Sequence, residues 1–78
     1  MGNRRVVQYV YQRGTTYYFV RRVPKDVQRH YKSSRVVICL KTSRRDQAVR
    51  AGMSIAQRLE DYWLSLRLAN LDIPGLHL

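Results

Sequence analysis

The side chains in this chain that are best suited to chemistry are arginines. They supply twelve of its fifteen basic residues, and the pair Arg21–Arg22 follows the aromatic run Tyr17–Phe19 after one intervening residue, Val20. Because the guanidinium group is planar and carries several donors, it binds phosphates and base edges through paired hydrogen bonds. The pattern therefore predicts a surface that binds an anionic partner.

The basic residues are concentrated towards the start of the chain. The 78 residues carry a net charge of +10, and residues 1–50 contain thirteen basic and two acidic side chains. Residues 51–78 contain two basic and three acidic side chains. Solubility alone would not require this separation, so the distribution favours a polyanion, nucleic acid above all.

The sequence gives little support for catalysis or metal binding. His30 and His77 have no cysteine or carboxylate nearby at the spacing of a metal site. Cys39 lies in a predicted strand without a neighbouring histidine, which favours a buried or half-buried thiol over a nucleophile. We expect one small domain with no enzymatic activity, no metal and no cofactor.

The chain also lacks the patterns of membrane and secreted proteins. No stretch approaches the roughly 18 apolar residues of a membrane span, and the first ten residues lack the apolar core of a secretion signal. The single Cys39 cannot form an internal disulfide. These features predict a cytoplasmic protein.

Hydrophobic patterning predicts the elements that position the arginines. Three runs rich in β-branched and aromatic residues indicate strands, with a glycine turn between the first two and a short helical turn between the last two. A stripe of apolar residues at spacings of three and four then indicates one long helix, capped by Thr42 or Ser43. The predicted strands are Val6–Gln12, Tyr17–Val23 and Arg35–Lys41, and the helix is Arg44–Ala69. The fold class is α+β, a three-stranded antiparallel sheet packed against one C-terminal helix.

Alternation along the strands predicts which side chains share a face of the sheet. The helix side should hold Tyr17, Phe19, Arg21 and Val23 with Val36, Ile38 and Leu40. The opposite face should display Thr16, Tyr18, Val20 and Arg22 with Val37, Cys39 and Lys41. An error of one residue in register would exchange the two sets.

Such a sheet face suits the DNA major groove, where arginine reads guanine and apolar groups meet the thymine methyl. The other reading is that these arginines protect a solvated sheet edge and that the hairpin tyrosines only pack against each other. Arg22 is the expected base contact and Arg44 an expected phosphate contact. The full set of candidate DNA-binding residues is Arg4, Arg5, Arg13, Thr16, Tyr18, Arg21, Arg22, Arg35, Lys41, Arg44 and Arg45.

The predicted helix is longer than the sheet it covers. It would measure about 39 Å, whereas a six-residue strand spans only about 20 Å. Its second half should therefore overhang the sheet, and we expect Tyr62, Trp63 and Leu66 to contact a further domain or a partner. An assembly module that uses this apolar half of the helix is thus an alternative function, as is a free-standing DNA-binding accessory protein.

Three segments together resemble the N-terminal domain of phage-type integrases, the tyrosine recombinases. They are the hairpin strand Tyr17–Pro24, the strand end Leu40–Thr42 and the basic helix start Arg44–Ala48. The resemblance implies a domain over residues 1–70 that binds arm-type or att-like sites in double-stranded DNA and so supports integration. Residues 71–78 would then link to core-binding and catalytic domains, and the protein partners would be those domains or other recombinase protomers. The resemblance also implies a protein encoded by a bacterium or a phage and associated with the nucleoid. Val20 departs from the pattern, since relatives often carry a basic residue there.

Overall fold

The computed structural model describes residues 4–69, which form an α+β fold with an antiparallel sheet and a C-terminal helix. The class and the final helix were predicted correctly, but the number of strands was not, because the sheet has four strands. The strands are β1 (Arg4–Val7), β2 (Val10–Arg13), β3 (Thr16–Arg22) and β4 (Arg35–Cys39). A 3-10 helix covers Lys25–His30 between β3 and β4, and the helix α1 covers Arg45–Ala69.

The extra strand arises from a turn that divides the first predicted strand. Tyr9 adopts a left-handed backbone conformation with φ of 71°, so the chain reverses between β1 and β2. Such a φ is unfavourable for a bulky residue. The Tyr9 ring offsets that cost by packing 5.8 Å from the Phe19 ring and under the guanidinium of Arg21 at 4.5 Å.

The strands lie in the order β1-β2-β3-β4, and each pairs antiparallel with its neighbour. Phe19 of β3 pairs with Val10 of β2 and with Ile38 of β4, which puts these three side chains on the same face of the sheet. The predicted face assignments of β3 and β4 are therefore confirmed. Gly14 takes the positive φ of 63° that the β2–β3 turn requires.

The core lies between the sheet and α1. One buried cluster contains Val10, Tyr17 and Ala48, and Phe19 is fully buried on the same side of the sheet. Gly52 is the point of closest approach, since a Cβ atom there would lie 2.3 Å from Cγ2 of Val10. A glycine at this position therefore allows α1 to pack directly on β2.

The second half of α1 is covered by the 3-10 helix. Trp63 is fully buried in a cluster with Val23 and Val27, and its indole nitrogen donates a hydrogen bond to the Tyr31 hydroxyl at 2.9 Å. Leu66 is half-buried against the same cluster. The prediction that Trp63 overhangs the sheet was therefore wrong. It compared the length of the helix with that of the strands alone and left out the 3-10 helix, which also covers α1.

An ion pair between Arg67 and Asp26 joins the end of α1 to the 3-10 helix. Nε of Arg67 donates to the Asp26 carboxylate at 2.5 Å, and Nη2 donates to its other oxygen at 3.1 Å. The hydrogen bond from Arg67 lowers the pKa of Asp26. At the other end, α1 begins at Arg45, one residue later than predicted, and the Thr42 hydroxyl accepts a hydrogen bond from the backbone N–H of Arg44.

Candidate nucleic-acid interface

The face of the sheet that α1 leaves uncovered is built from residues lying opposite one another on neighbouring strands. Arg5 faces Tyr11, Tyr11 faces Tyr18, and Tyr18 faces Cys39, so these four form one row across all four strands. Shorter rows pair Arg13 with Thr16, Val20 with Val37 and Arg22 with Arg35. We call this surface the open face: Arg5, Tyr11, Arg13, Thr16, Tyr18, Val20, Arg22, Arg35, Val37 and Cys39.

The open face carries four arginines and no carboxylate. The acidic residues of the described chain lie on the 3-10 helix or on α1, namely Asp26, Asp46, Glu60 and Asp61. The ion pairs within residues 4–69 join Arg21, Arg44 and Arg67 to acidic partners, and none includes an open-face arginine. Positive charge is thus uncompensated on one side of the domain.

The pairing of Arg22 with Arg35 is unfavourable in the free domain. Like charges directly opposite each other on neighbouring strands destabilise a sheet. An anion bound between the two side chains would relieve that repulsion. This row lies at the end of β3 and the start of β4. Its position fits a phosphate contact better than the base contact that the sequence predicted for Arg22.

The strand β3 is longer than the major groove of DNA is wide. From Thr16 to Arg22 the strand β3 extends about 20 Å at roughly 3.3 Å per residue. The major groove is about 12 Å wide, so arginines at the two ends would reach the flanking backbones. The centre of the face holds Tyr11, Tyr18 and the pair Val20–Val37, which offer flat and apolar contacts.

Arg21 was predicted to contact DNA, and its position contradicts that role. Its guanidinium lies on the helix side of the sheet, stacked 4.5 Å from the Tyr9 ring and 4.7 Å from the Trp63 ring. It also forms an ion pair with Glu60 and donates to the Ala56 carbonyl oxygen at 3.4 Å. With only 12% of its side chain exposed, Arg21 joins the sheet to α1.

The remaining candidates divide between the open face and its periphery. Six lie on the open face: Arg5, Arg13, Thr16, Tyr18, Arg22 and Arg35. Arg4 is exposed at the sheet edge, but it lies in the row of Gln12 and Tyr17 on the helix side, which does not suit the predicted DNA contact. Lys41 is exposed just beyond β4 with φ of 53°. Arg44 and Arg45 are exposed where α1 begins, and Arg44 lies 3.5 Å from Asp46.

Two features of the open face differ from the sequence analysis. Tyr11 belongs to the central row but was not among the candidates. The first strand was predicted as one long strand, and the face of the sheet on which Tyr11 lies was not assigned. Cys39 was predicted to be buried or half-buried and is exposed, because it lies on the open face of the edge strand β4.

The outer surface of α1 shows apolar side chains as well. Of the predicted partner contacts, Tyr62 is half exposed, Leu66 is partly covered and Trp63 is buried. Leu64 and Leu68 are exposed one turn apart, on a different side of the helix from Tyr62. Within residues 4–69, no helix is long and apolar enough to cross a membrane.

Comparison with known proteins identifies a family. Residues 9–68 match a domain of unknown function, DUF6538. The chain belongs to this family. The DUF6538 match begins in the β1–β2 turn and ends in the last turn of α1, so it contains β2, β3, β4 and most of the helix and leaves β1 outside. Searches of curated proteins and of solved structures found no match to the chain.

Proposed function

We propose that this domain binds double-stranded DNA in a sequence-specific manner, with its open face in the major groove. The observation that carries the proposal is the open face itself, which has four arginines, no carboxylate and no ion pair among the described residues. Phosphates provide most of the affinity in such complexes, and base edges provide the specificity.

The proposal assigns different roles to the ends and to the centre of the open face. Arg22 and Arg35 bind phosphates at one end, and peripheral Lys41, Arg44 and Arg45 bind them near the other. Tyr18 and the valine pair face the base edges. Tyr18 and the two valines are uncharged. Discrimination between bases therefore depends on the shape of the groove, on contacts with thymine methyl groups and on hydrogen bonds from the nearest arginine.

We further propose that the domain acts in a site-specific recombinase of the tyrosine class and supports DNA integration. The support is the resemblance carried by Tyr17–Pro24, Leu40–Thr42 and Arg44–Ala48. The fold shares an antiparallel sheet and a C-terminal helix with the architecture which that resemblance implies, although its sheet has four strands and not three. Arm-type or att-like sites would be the DNA partners, and strand cleavage would belong to other domains of the recombinase.

Replacing Arg22 and Arg35 together with alanine should weaken duplex binding for all sequences alike. Loss of two phosphate contacts should reduce the slope of log affinity against log salt by roughly 1.8, at about 0.9 per contact. Removing two like charges that face each other should not harm the fold. Fluorescence anisotropy with a labelled duplex, measured from low to physiological salt, gives both quantities.

The matched control is the double variant Arg50→Ala, Arg58→Ala. It removes the same charge from exposed positions on α1, in the layer behind the sheet. The control should retain most of the wild-type affinity and slope. Equal losses in the two double variants would show that net charge alone, and not the open face, governs binding.

A second candidate function is protein association through α1. Tyr62, Leu64 and Leu68 are exposed on this helix, with Tyr62 50% and Leu64 53% accessible. In that case the domain should self-associate or bind a partner through α1, and it should show no duplex affinity near physiological salt. Analytical ultracentrifugation of the wild type and of Leu64→Ala distinguishes this from DNA binding.

A further inference from the structure

The centre of the open face contains a shallow recess with one cationic wall. Its volume is about 120 Å³, and it is lined by Arg13, Tyr18, Val20 and Val37. Val20 and Val37 lie directly opposite each other on β3 and β4, and 61% of Val37 is exposed. The two valines present branched apolar groups on this face, with Val37 exposed and Val20 half-buried.

Arg13 reaches this recess from another row of the sheet. Its direct partner on β3 is Thr16, four residues before Val20. Since Arg13 nevertheless lines the same recess as Val20 and Val37, its side chain runs along the open face towards the centre. Arg13 therefore lies beside an apolar surface, unlike Arg22 and Arg35 at the end of the sheet.

The chemistry of this recess matches one combination of groups in the major groove. The C5 methyl of thymine is the apolar group that base pairs present there, and guanine presents two acceptors that suit an arginine fork. A phosphate would gain nothing from valine, and the exocyclic amine of cytosine would lose its hydrogen bonds against it. Thymine beside guanine satisfies both the valine pair and Arg13.

We propose that the recess accepts the C5 methyl of a thymine, while Arg13 donates to O6 and N7 of an adjacent guanine. This inference rests on the proposed function, and it names the base step that the open face recognises. Val20 and Val37 are then the residues that determine specificity for thymine. Arg13, not Arg22, is the arginine that reads a base.

The test begins with selection of preferred duplexes from a random library by the 78-residue chain. In the best duplex, each thymine is then replaced in turn by uracil, which lacks only the methyl group. At one position the wild type should bind uracil about fourfold more weakly, the value for removing one methyl from an apolar contact. Arg13→Gln should relax the preference for guanine beside that position.

Variants of β4 connect the effect to the recess. For Val37→Ala, the ratio of the affinities for the thymine and uracil duplexes should fall to nearly one. Val37→Thr keeps the side-chain volume but adds a hydroxyl group, and it should also reduce this ratio. Ile38→Ala is the matched control, because Ile38 is the next residue of β4 and points to the opposite face. It should keep the fourfold difference, and circular dichroism checks that each variant is folded.

The outcomes separate the two proposals. If selection enriches no sequence, sequence-specific binding is wrong and the recess proposal fails with it. If a sequence is enriched but uracil has no effect at any position, only the recess proposal is overturned. The same holds if the folded Val37→Ala variant retains the full preference for thymine over uracil.

Discussion

Replacing Trp63 with alanine is expected to destabilise the domain by about 3–5 kcal/mol, the usual cost of truncating a large buried aromatic side chain. A chain of this size has a total stability of about 4–12 kcal/mol. Trp63 is fully buried with Val23 and Val27, bonds to the Tyr31 hydroxyl and stacks on Arg21. Its removal therefore frees the 3-10 helix and the second half of α1 from each other.

Urea denaturation followed by circular dichroism measures this effect. Trp63→Phe should lie between the wild type and Trp63→Ala, because it keeps part of the volume and loses the hydrogen bond to Tyr31. Tyr62→Ala is the control, since Tyr62 is half exposed on the same turn of α1. A midpoint for Trp63→Ala close to that of Tyr62→Ala would contradict the burial of Trp63.

Replacing Gly52 with alanine is expected to cost about 1–3 kcal/mol, although glycine to alanine normally stabilises the interior of a helix. The added Cβ would lie 2.3 Å from Cγ2 of Val10, a distance that requires something to move. Val10 is fully buried, and its branched side chain is too short to swing aside. α1 must therefore shift away from β2, which also loosens its contact with Phe19.

A double-variant cycle isolates this contact. Val10→Ala alone should destabilise the domain by creating a cavity, but it makes room for a methyl group at residue 52. Adding Gly52→Ala to Val10→Ala should then cost little or even stabilise the domain. If the two free-energy changes from urea denaturation simply add, the close approach of α1 to β2 at Gly52 is wrong.

The sequence was sufficient for the features that depend on local pattern. Alternation along β3 and β4 separates Phe19 and Ile38 from Tyr18 and Cys39, and the register confirms that separation. The β1–β2 turn could not be predicted in this way. Its left-handed residue is a tyrosine within an unbroken β-forming run, and the conformation depends on packing against Phe19 and Arg21, which are distant in sequence.

Local pattern likewise predicted only part of the candidate site. Tyr18 and Arg22 follow from alternation, and Arg13 and Arg35 follow from the excess of arginine at strand ends and turns. Alternation placed Arg21 on the helix side, but it could not show that the guanidinium stays there, because that position depends on an ion pair with Glu60, 39 residues further along the chain. Trp63 was wrongly predicted to contact a further domain or a partner for a similar reason, because the 3-10 helix and Tyr31, which are distant in sequence, bury it.

Binding of DNA by the open face is the central claim, and an NMR titration tests it most directly. An isotope-labelled sample of the chain is titrated with a duplex at about 0.15 M salt, and amide and arginine side-chain signals are followed. The largest changes should occur at Arg5, Tyr11, Arg13, Tyr18, Val20, Arg22 and Arg35, with small changes at exposed positions of α1 such as Arg58. Changes concentrated on α1, or no changes at this salt concentration, would contradict the claim.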